Sequence, residues 1–216
     1  MKTISSPTKR TYENLDAAFK FFNAKLFGGE LPACLITVQR HKGAYGYFCG
    51  ERFADINDAE NVADEIALNP THFGNRPAKQ TLSTLVHEMC HLWQHHFGTP
   101  PRKCYHNREW SEKMEEVGLT PSDTGMPGGR KVGQKVSHVI EIGGRFDIAC
   151  DQFIAKTGAV LFADRAGEPA EKERKKSSKT KYTCPTCGQN AWAKPETNLM
   201  CGDCEKHMEA EESEDD

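Results

Sequence analysis

Leu85-Val86-His87-Glu88-Met89-Cys90-His91-Leu92-Trp93 is the stretch on which the reading of the whole chain turns. Residues 87–91 (HEMCH) match H-E-x-x-H. Around them Leu82, Leu85, Met89, Leu92, Trp93 and Phe97 recur at three- and four-residue spacing. That periodicity predicts a helix over residues 78–97, ended by Gly98 and the pair Pro100-Pro101. Residues four apart on an α-helix differ by about 40° around the axis and about 6 Å along it. His87 and His91 can therefore reach one metal ion from a single face. Glu88 follows the first of them and can accept a proton from a water at the ion's open side. Zinc suits such a site, because it accepts nitrogen ligands and has no redox chemistry.

A catalytic site of this kind needs a third protein ligand. His95 continues the stripe beyond His91 but lies too far along the axis, and His96 points to another side of the helix. Phe97 occupies the place where a metzincin carries its third histidine. Glu109 and Glu112 are carboxylate alternatives. His106 is the best candidate: it lies after the Pro-Pro turn, at the entry to the next helix.

Working outward, a helix is expected over residues 12–27, with Thr11 as its cap and Gly28-Gly29 as its stop. Short β-type runs follow at 35–39, 44–48 and 65–68, with a turn or hairpin at Lys42-Gly43. A small, mostly antiparallel sheet is the economical arrangement. Further helices are expected over 107–117 and 147–157, a strand over 135–142, and a glycine-rich loop over 121–133. The fold class is α+β: a metallopeptidase-type domain at 1–165, then a small metal-bound module.

Composition shifts after that. Residues 166–181 hold no large apolar side chain and read as a basic, flexible linker. Cys184, Cys187, Cys201 and Cys204 form two C-x-x-C knuckles, the spacing of a structural zinc site, in a ribbon at 182–206. Gly188 and Gly202 are expected to give the knuckles their backbone freedom. The ribbon is too small to fold by burial, so metal binding should supply its folding energy. An acidic tail occupies 207–216. Residues 171–181 carry a net +4 and residues 205–216 a net −6, although the chain as a whole carries only −3. Single-stranded DNA contact through the 171–192 region, with Tyr182 and Trp192 stacking on bases, is one expectation. The bland alternative is a solvated linker, with Trp192 packed over the metal site.

The 216 residues include nine cysteines and nine histidines. The N-terminus lacks a signal-peptide core, and no stretch reaches the length of a membrane span. We therefore expect an intracellular, cytoplasmic protein, with nucleoid association open, no membrane partner and metal-ligating or buried cysteines. Cys34, Cys49, Cys90 and Cys150 are left as small core residues, and Cys104, two residues from His106, as either one of these or a stray metal ligand.

Several stretches together resemble one family: FFNAKLFGGEL (residues 21–31), ALNP (67–70), TLVHEMCHLWQHHFG (84–98) and YHNREWSEKMEEVGL (105–119). They are similar to the SprT-like domain, the zincin-type metallopeptidase domain of bacterial SprT and of Spartan. Residues 124–138 (TGMPGGRKVGQKVSH) resemble SprT-like proteins of mobile elements. The resemblance implies His87, His91 and His106 as zinc ligands and Glu88 as the catalytic carboxylate. With the ribbon it implies two Zn2+ per chain. For Spartan-like members it further implies cleavage of proteins trapped on DNA. Tyr105, His138 and Arg130 are candidates for stabilising the oxyanion. The leading reading is a zinc metalloendopeptidase acting on protein substrates. The alternatives are a DNA- or partner-binding protein that has lost turnover, and a metal-dependent hydrolase of small amides.

Overall fold

The computed structural model describes residues 6–102, 105–158, 161–165 and 179–211. Most of the linker, Cys104 and the last five residues lie outside them. Two compact units are formed, residues 1–168 and 169–216.

The first unit opens with helix α1, Pro7–Leu26. It starts earlier than Thr11 because Ser6 is the cap: its hydroxyl accepts from the Lys9 N–H at 3.2 Å, and Pro7 presets the first turn. Thr11 instead donates back to the Pro7 carbonyl. Strands β1 (Leu35–Val38), β2 (Gly46–Asp55) and β3 (Asp58–Leu68) form a sheet ordered β1-β3-β2. The sheet is mixed: β2 pairs antiparallel with β3, and β1 pairs parallel with it. No hairpin forms at Lys42-Gly43. Asn69 holds that loop, its side-chain amide donating to the His41 and Ala44 carbonyls, while β3 runs between the flanking strands. The hairpin of the sheet turns instead between β2 and β3.

Helix α2, Ala78–Phe97, occupies the centre of the unit. Every residue from Thr81 to Cys90 is buried, the signature of a helix covered on all sides. It packs against β2, β3, α1, helix α3 (Arg108–Glu116) and helix α4 (Arg145–Thr157). Phe22 of α1 meets Phe146 and Phe153 of α4 at ring distances of 5.6 and 5.7 Å, closing the core behind α2. Strands β4 (Leu119–Ser122) and β5 (Ser137–Ile140) make a two-stranded ladder after α3. Cys90 and Cys150 are buried, and Cys34 and Cys49 are partly so. Burial pushes the Cys34 and Cys150 thiols up to about 12, so they serve as small packing groups.

The second unit is a set of short strands: β6 (Thr180–Thr183), β7 (Asn190–Ala193), β8 (Met200–Cys201), β9 (Lys206–His207) and β10 (Glu209–Ala210). β6 lies between β7 and β10. Pairing therefore runs on into the acidic segment, and Glu211 bridges to Lys181 at 3.0 Å. Among the described residues, no helix is long and apolar enough to cross a membrane.

Candidate metal centre

The buried polar residues of α2 need partners, and most of them converge on one place. His87 and His91 lie one turn apart, and His106 comes in from the segment before α3, where it bridges to Gly133. Asn107 caps α3 by accepting from the Trp110 N–H. Gln94 of α2 donates to the Asn107 side chain (2.8 Å) and to Glu109 (2.6 Å), which locks the start of α3 to α2. Glu109 also accepts from the Thr99 N–H, and its carboxylate fills the space a Cβ on Gly98 would need. The two carboxylate alternatives are thus engaged elsewhere: Glu109 in this lock and Glu112 with Arg108.

One ring nitrogen from each of His87, His91 and His106 lies within 4.8 Å of the others. Burial lowers all three imidazoles below their ordinary range, His91 to about 3, so they are neutral donors at physiological pH. Hydrogen bonds fix which nitrogens are left over. His106 Nδ1 lies 3.0 Å from the Gly133 carbonyl, which can only accept. Nδ1 therefore carries the proton, and Nε2 keeps its lone pair. His87 Nδ1 meets His138 Nδ1 at 3.2 Å, His138 Nε2 meets the Ser83 hydroxyl at 2.8 Å, and Ser83 donates to the Gln80 carbonyl at 2.9 Å. The terminal carbonyl sets the direction of the whole chain. His87 donates from Nδ1, and its Nε2 is free to bind a metal. The donor set therefore fits a zinc ion, since acceptors behind ligating imidazoles hold them in the tautomer that binds metal.

Trp110 forms the floor. Fully buried, it stacks on His91 at 5.0 Å and meets His87 and His106 edge-on at 4.9 and 4.3 Å. Glu88 is buried on the neighbouring side of α2, and burial raises its carboxyl to about 8. Its Oε1 lies 3.3 Å from where a Cβ on Gly46 would sit, so the start of β2 passes close beside it.

Several of these contacts escape sequence reasoning. His138 is behind His87 with both ring nitrogens engaged, not aimed at an oxyanion. Arg130 is bound to Asp123 at 2.7 Å on an exposed loop. Tyr105 lies with its ring 5.4 Å from the Arg102 guanidinium. Arg76 belongs to no motif of the sequence. Its guanidinium stacks on Tyr45 at 3.9 Å, reaches Thr84, and helps lower His138 to about 4, although burial is the larger cause there. His95 and His96 converge on Asp64 instead of diverging.

A profile of the SprT-like family matches residues 15–131. The chain belongs to the SprT-like family. Among its relatives is an uncharacterized protein in the mucB 3' region of Salmonella typhimurium. It is 49% identical over 63 residues, which is 29% of this chain and 84% of the relative. The SprT-like match spans His87, Glu88, His91, His106 and Trp110, and it stops short of Gly133 and His138.

The second unit of this SprT-like protein holds the other candidate group. The sulfurs of Cys184, Cys187, Cys201 and Cys204 lie within 4.8 Å of one another, consistent with a zinc site. Backbone N–H groups of Cys187 and Thr186 lower the Cys184 thiol to about 7, toward the thiolate a metal needs. Gly188 takes the left-handed conformation (φ 72°) one residue after Cys187. In the second knuckle the equivalent residue is Glu205 (φ 50°), so the strained position is not Gly202. Tyr182 is buried, with its hydroxyl donating to the Lys194 carbonyl, which removes it as a stacking platform. Trp192 is 61% exposed.

Proposed function

We propose that this SprT-like protein is a zinc-dependent metalloendopeptidase with a zincin-like catalytic domain over residues 1–165, a linker at 166–181, a structural zinc ribbon at 182–206 and an acidic segment at 207–216. One observation carries the reading: three neutral imidazoles, two of them with oriented lone pairs, converge beside a buried glutamate. His87, His91 and His106 would hold the catalytic ion; the four cysteines would hold a second. A zinc ion bound by three imidazoles supplies Lewis-acid polarisation of a carbonyl and acidifies water.

The chain's own groups do the rest. Glu88 takes the proton of the attacking water on its carboxylate and returns it to the leaving amide nitrogen. Burial makes the ionised Glu88 carboxylate a stronger base, and a cation bound at the neighbouring histidines would favour that ionised form. His138 and the Gly133 carbonyl hold two imidazoles in the ligating tautomer. Trp110 keeps bulk water from the rear of the site.

The substrate class is protein, including proteins bound or crosslinked to DNA in the cytoplasm. Exposed Trp192, paired across the ladder from Lys181, supports single-stranded DNA contact through the 171–192 region. A DNA- or partner-binding protein without turnover is the second reading; the intact Glu88 argues against it. The test is proteolysis of casein and of a DNA-bound protein, with and without single-stranded DNA, by wild type and Glu88→Gln. Cleavage is expected to fall by at least about a thousandfold in the variant, a base's share plus the lost polarity, with zinc content unchanged. Equal cleavage would refute the mechanism.

A further inference from the structure

The structure assigns a further metal site to Asp64 of β3 and to His95 and His96 at the end of α2, one that takes a borderline divalent transition-metal ion such as Zn2+. It shares no residue with the proposed catalytic centre or with the ribbon, and it does not depend on either.

Three donor atoms, one from each residue, lie within 4.8 Å of one another. His96 Nε2 is 2.6 Å from Asp64 Oδ2, and His95 Nε2 is 3.9 Å from Asp64 Oδ1. Consecutive helical residues diverge by about 100° around the axis, so two adjacent imidazoles do not meet by default. Here their rings turn toward one another at the helix end, with centroids 4.9 Å apart. The Asp64 side chain is 7% exposed and the two imidazoles 33% and 35%. A nearly buried carboxylate thus faces two accessible nitrogens.

The surroundings are built to seat this group. A Cβ on Gly50 would lie 2.6 Å from His95 Cε1, so glycine is needed for the ring to fit. Glu51 adopts a left-handed φ of 49°, rare for a non-glycine residue, and its N–H donates to Asp64 Oδ1 at 2.8 Å. Both residues sit at the register break of β2 between Cys49 and Phe53. A single ion pair with His96 would satisfy Asp64. It would not explain the second imidazole, the glycine that admits it or the strained residue that orients the carboxylate. Two nitrogens and one carboxylate oxygen suit zinc and its neighbours, whereas calcium and magnesium favour all-oxygen sets. Coordination would replace the direct His96–Asp64 contact and join the end of α2 to β3 and the β2 bulge. With three ligands at the surface, the ion would exchange more readily than one in a four-thiolate site.

The test titrates the full chain with Zn2+ under native mass spectrometry, comparing wild type with the His95→Gln/His96→Gln double variant. Wild type is expected to take up one more zinc ion than the variant, and the His95 and His96 ring signals are expected to shift on Zn2+ addition in NMR spectra. Failure of the catalytic or ribbon sites would lower both totals equally and leave that difference intact. Should the double variant lose its native circular-dichroism spectrum, His95→Gln alone serves, and it should weaken this equivalent by more than about tenfold. Equal zinc uptake by wild type and variant, or ring signals that do not move, would overturn the assignment.

Discussion

Replacing His138 with Phe keeps an aromatic ring on β5 but removes the acceptor for His87 Nδ1. In the native chain that nitrogen donates to His138 at 3.2 Å, and the relay ends on the Gln80 carbonyl through Ser83. In His138→Phe, a buried imidazole loses the partner that selects its ligating tautomer. Loss of an outer-shell partner typically costs 10- to 100-fold in metal affinity, about 1.4–2.7 kcal/mol. The orphaned N–H adds about 1–3 kcal/mol of destabilisation to the metal-free fold. Two assays separate these effects: chelator competition for zinc affinity at neutral pH, and thermal unfolding of the stripped protein. His138→Asn should restore most of the affinity, because its amide oxygen offers an acceptor near the position of Nδ1. Zinc affinity within twofold of wild type in His138→Phe would refute the tautomer argument.

Other outcomes follow from the same contacts. Burial holds His91 near 3 and His138 near 4, whereas an unfolded histidine titrates near 6.5. The unfolded state therefore takes up protons first as pH falls below 6.5, and stripped protein should lose about 2 kcal/mol per such imidazole by pH 5. Denaturant melts across that window would show the net loss that remains after Glu88, raised to about 8 by burial, adds stability in the opposite sense, and stability that rises as pH falls would contradict it. Gly98→Ala pushes a methyl into the Glu109 carboxylate and should cost about 1–3 kcal/mol in thermal unfolding. Cys201→Ser should remove one zinc equivalent and collapse strand signals of the 179–211 segment in NMR spectra, leaving those of the first unit in place. Glu211→Gln frees Lys181 and should strengthen single-stranded DNA binding at low salt, an effect that fades as salt rises. Truncation is the poorer test of the acidic segment, because it deletes β10.

Local signals account for what the sequence revealed. Helix α2 was legible to its boundaries, because apolar spacing, Gly98 and the prolines all act within one segment. The histidine triad followed from a four-residue step on that helix plus one return of the chain. The β-sheet was harder. The polar outer half of β3, DAENV, carries no burial pattern, since that end of the strand is exposed. The parallel β1–β3 pairing depends on what lies between them, which no local turn announces. Gly133 and His138 act on histidines 27 and 51 residues away, a separation without a spacing rule. β10 reads as a tail because its residues are acidic, yet the backbone pairs regardless of side-chain charge.

The late position of those two residues bears on how the protein is made. The H-E-x-x-H helix leaves the ribosome well before Gly133 and His138 do. Until residue 138 has emerged and β4 and β5 have zipped, two of the three imidazoles are free to flip between tautomers. On the proposed reading, a half-synthesised chain would thus carry His87, His91, His106 and Glu88 but hold zinc poorly. Completion of the domain would then act as the arming step of the proposed peptidase, limiting the interval in which it could cut its own unfinished chain.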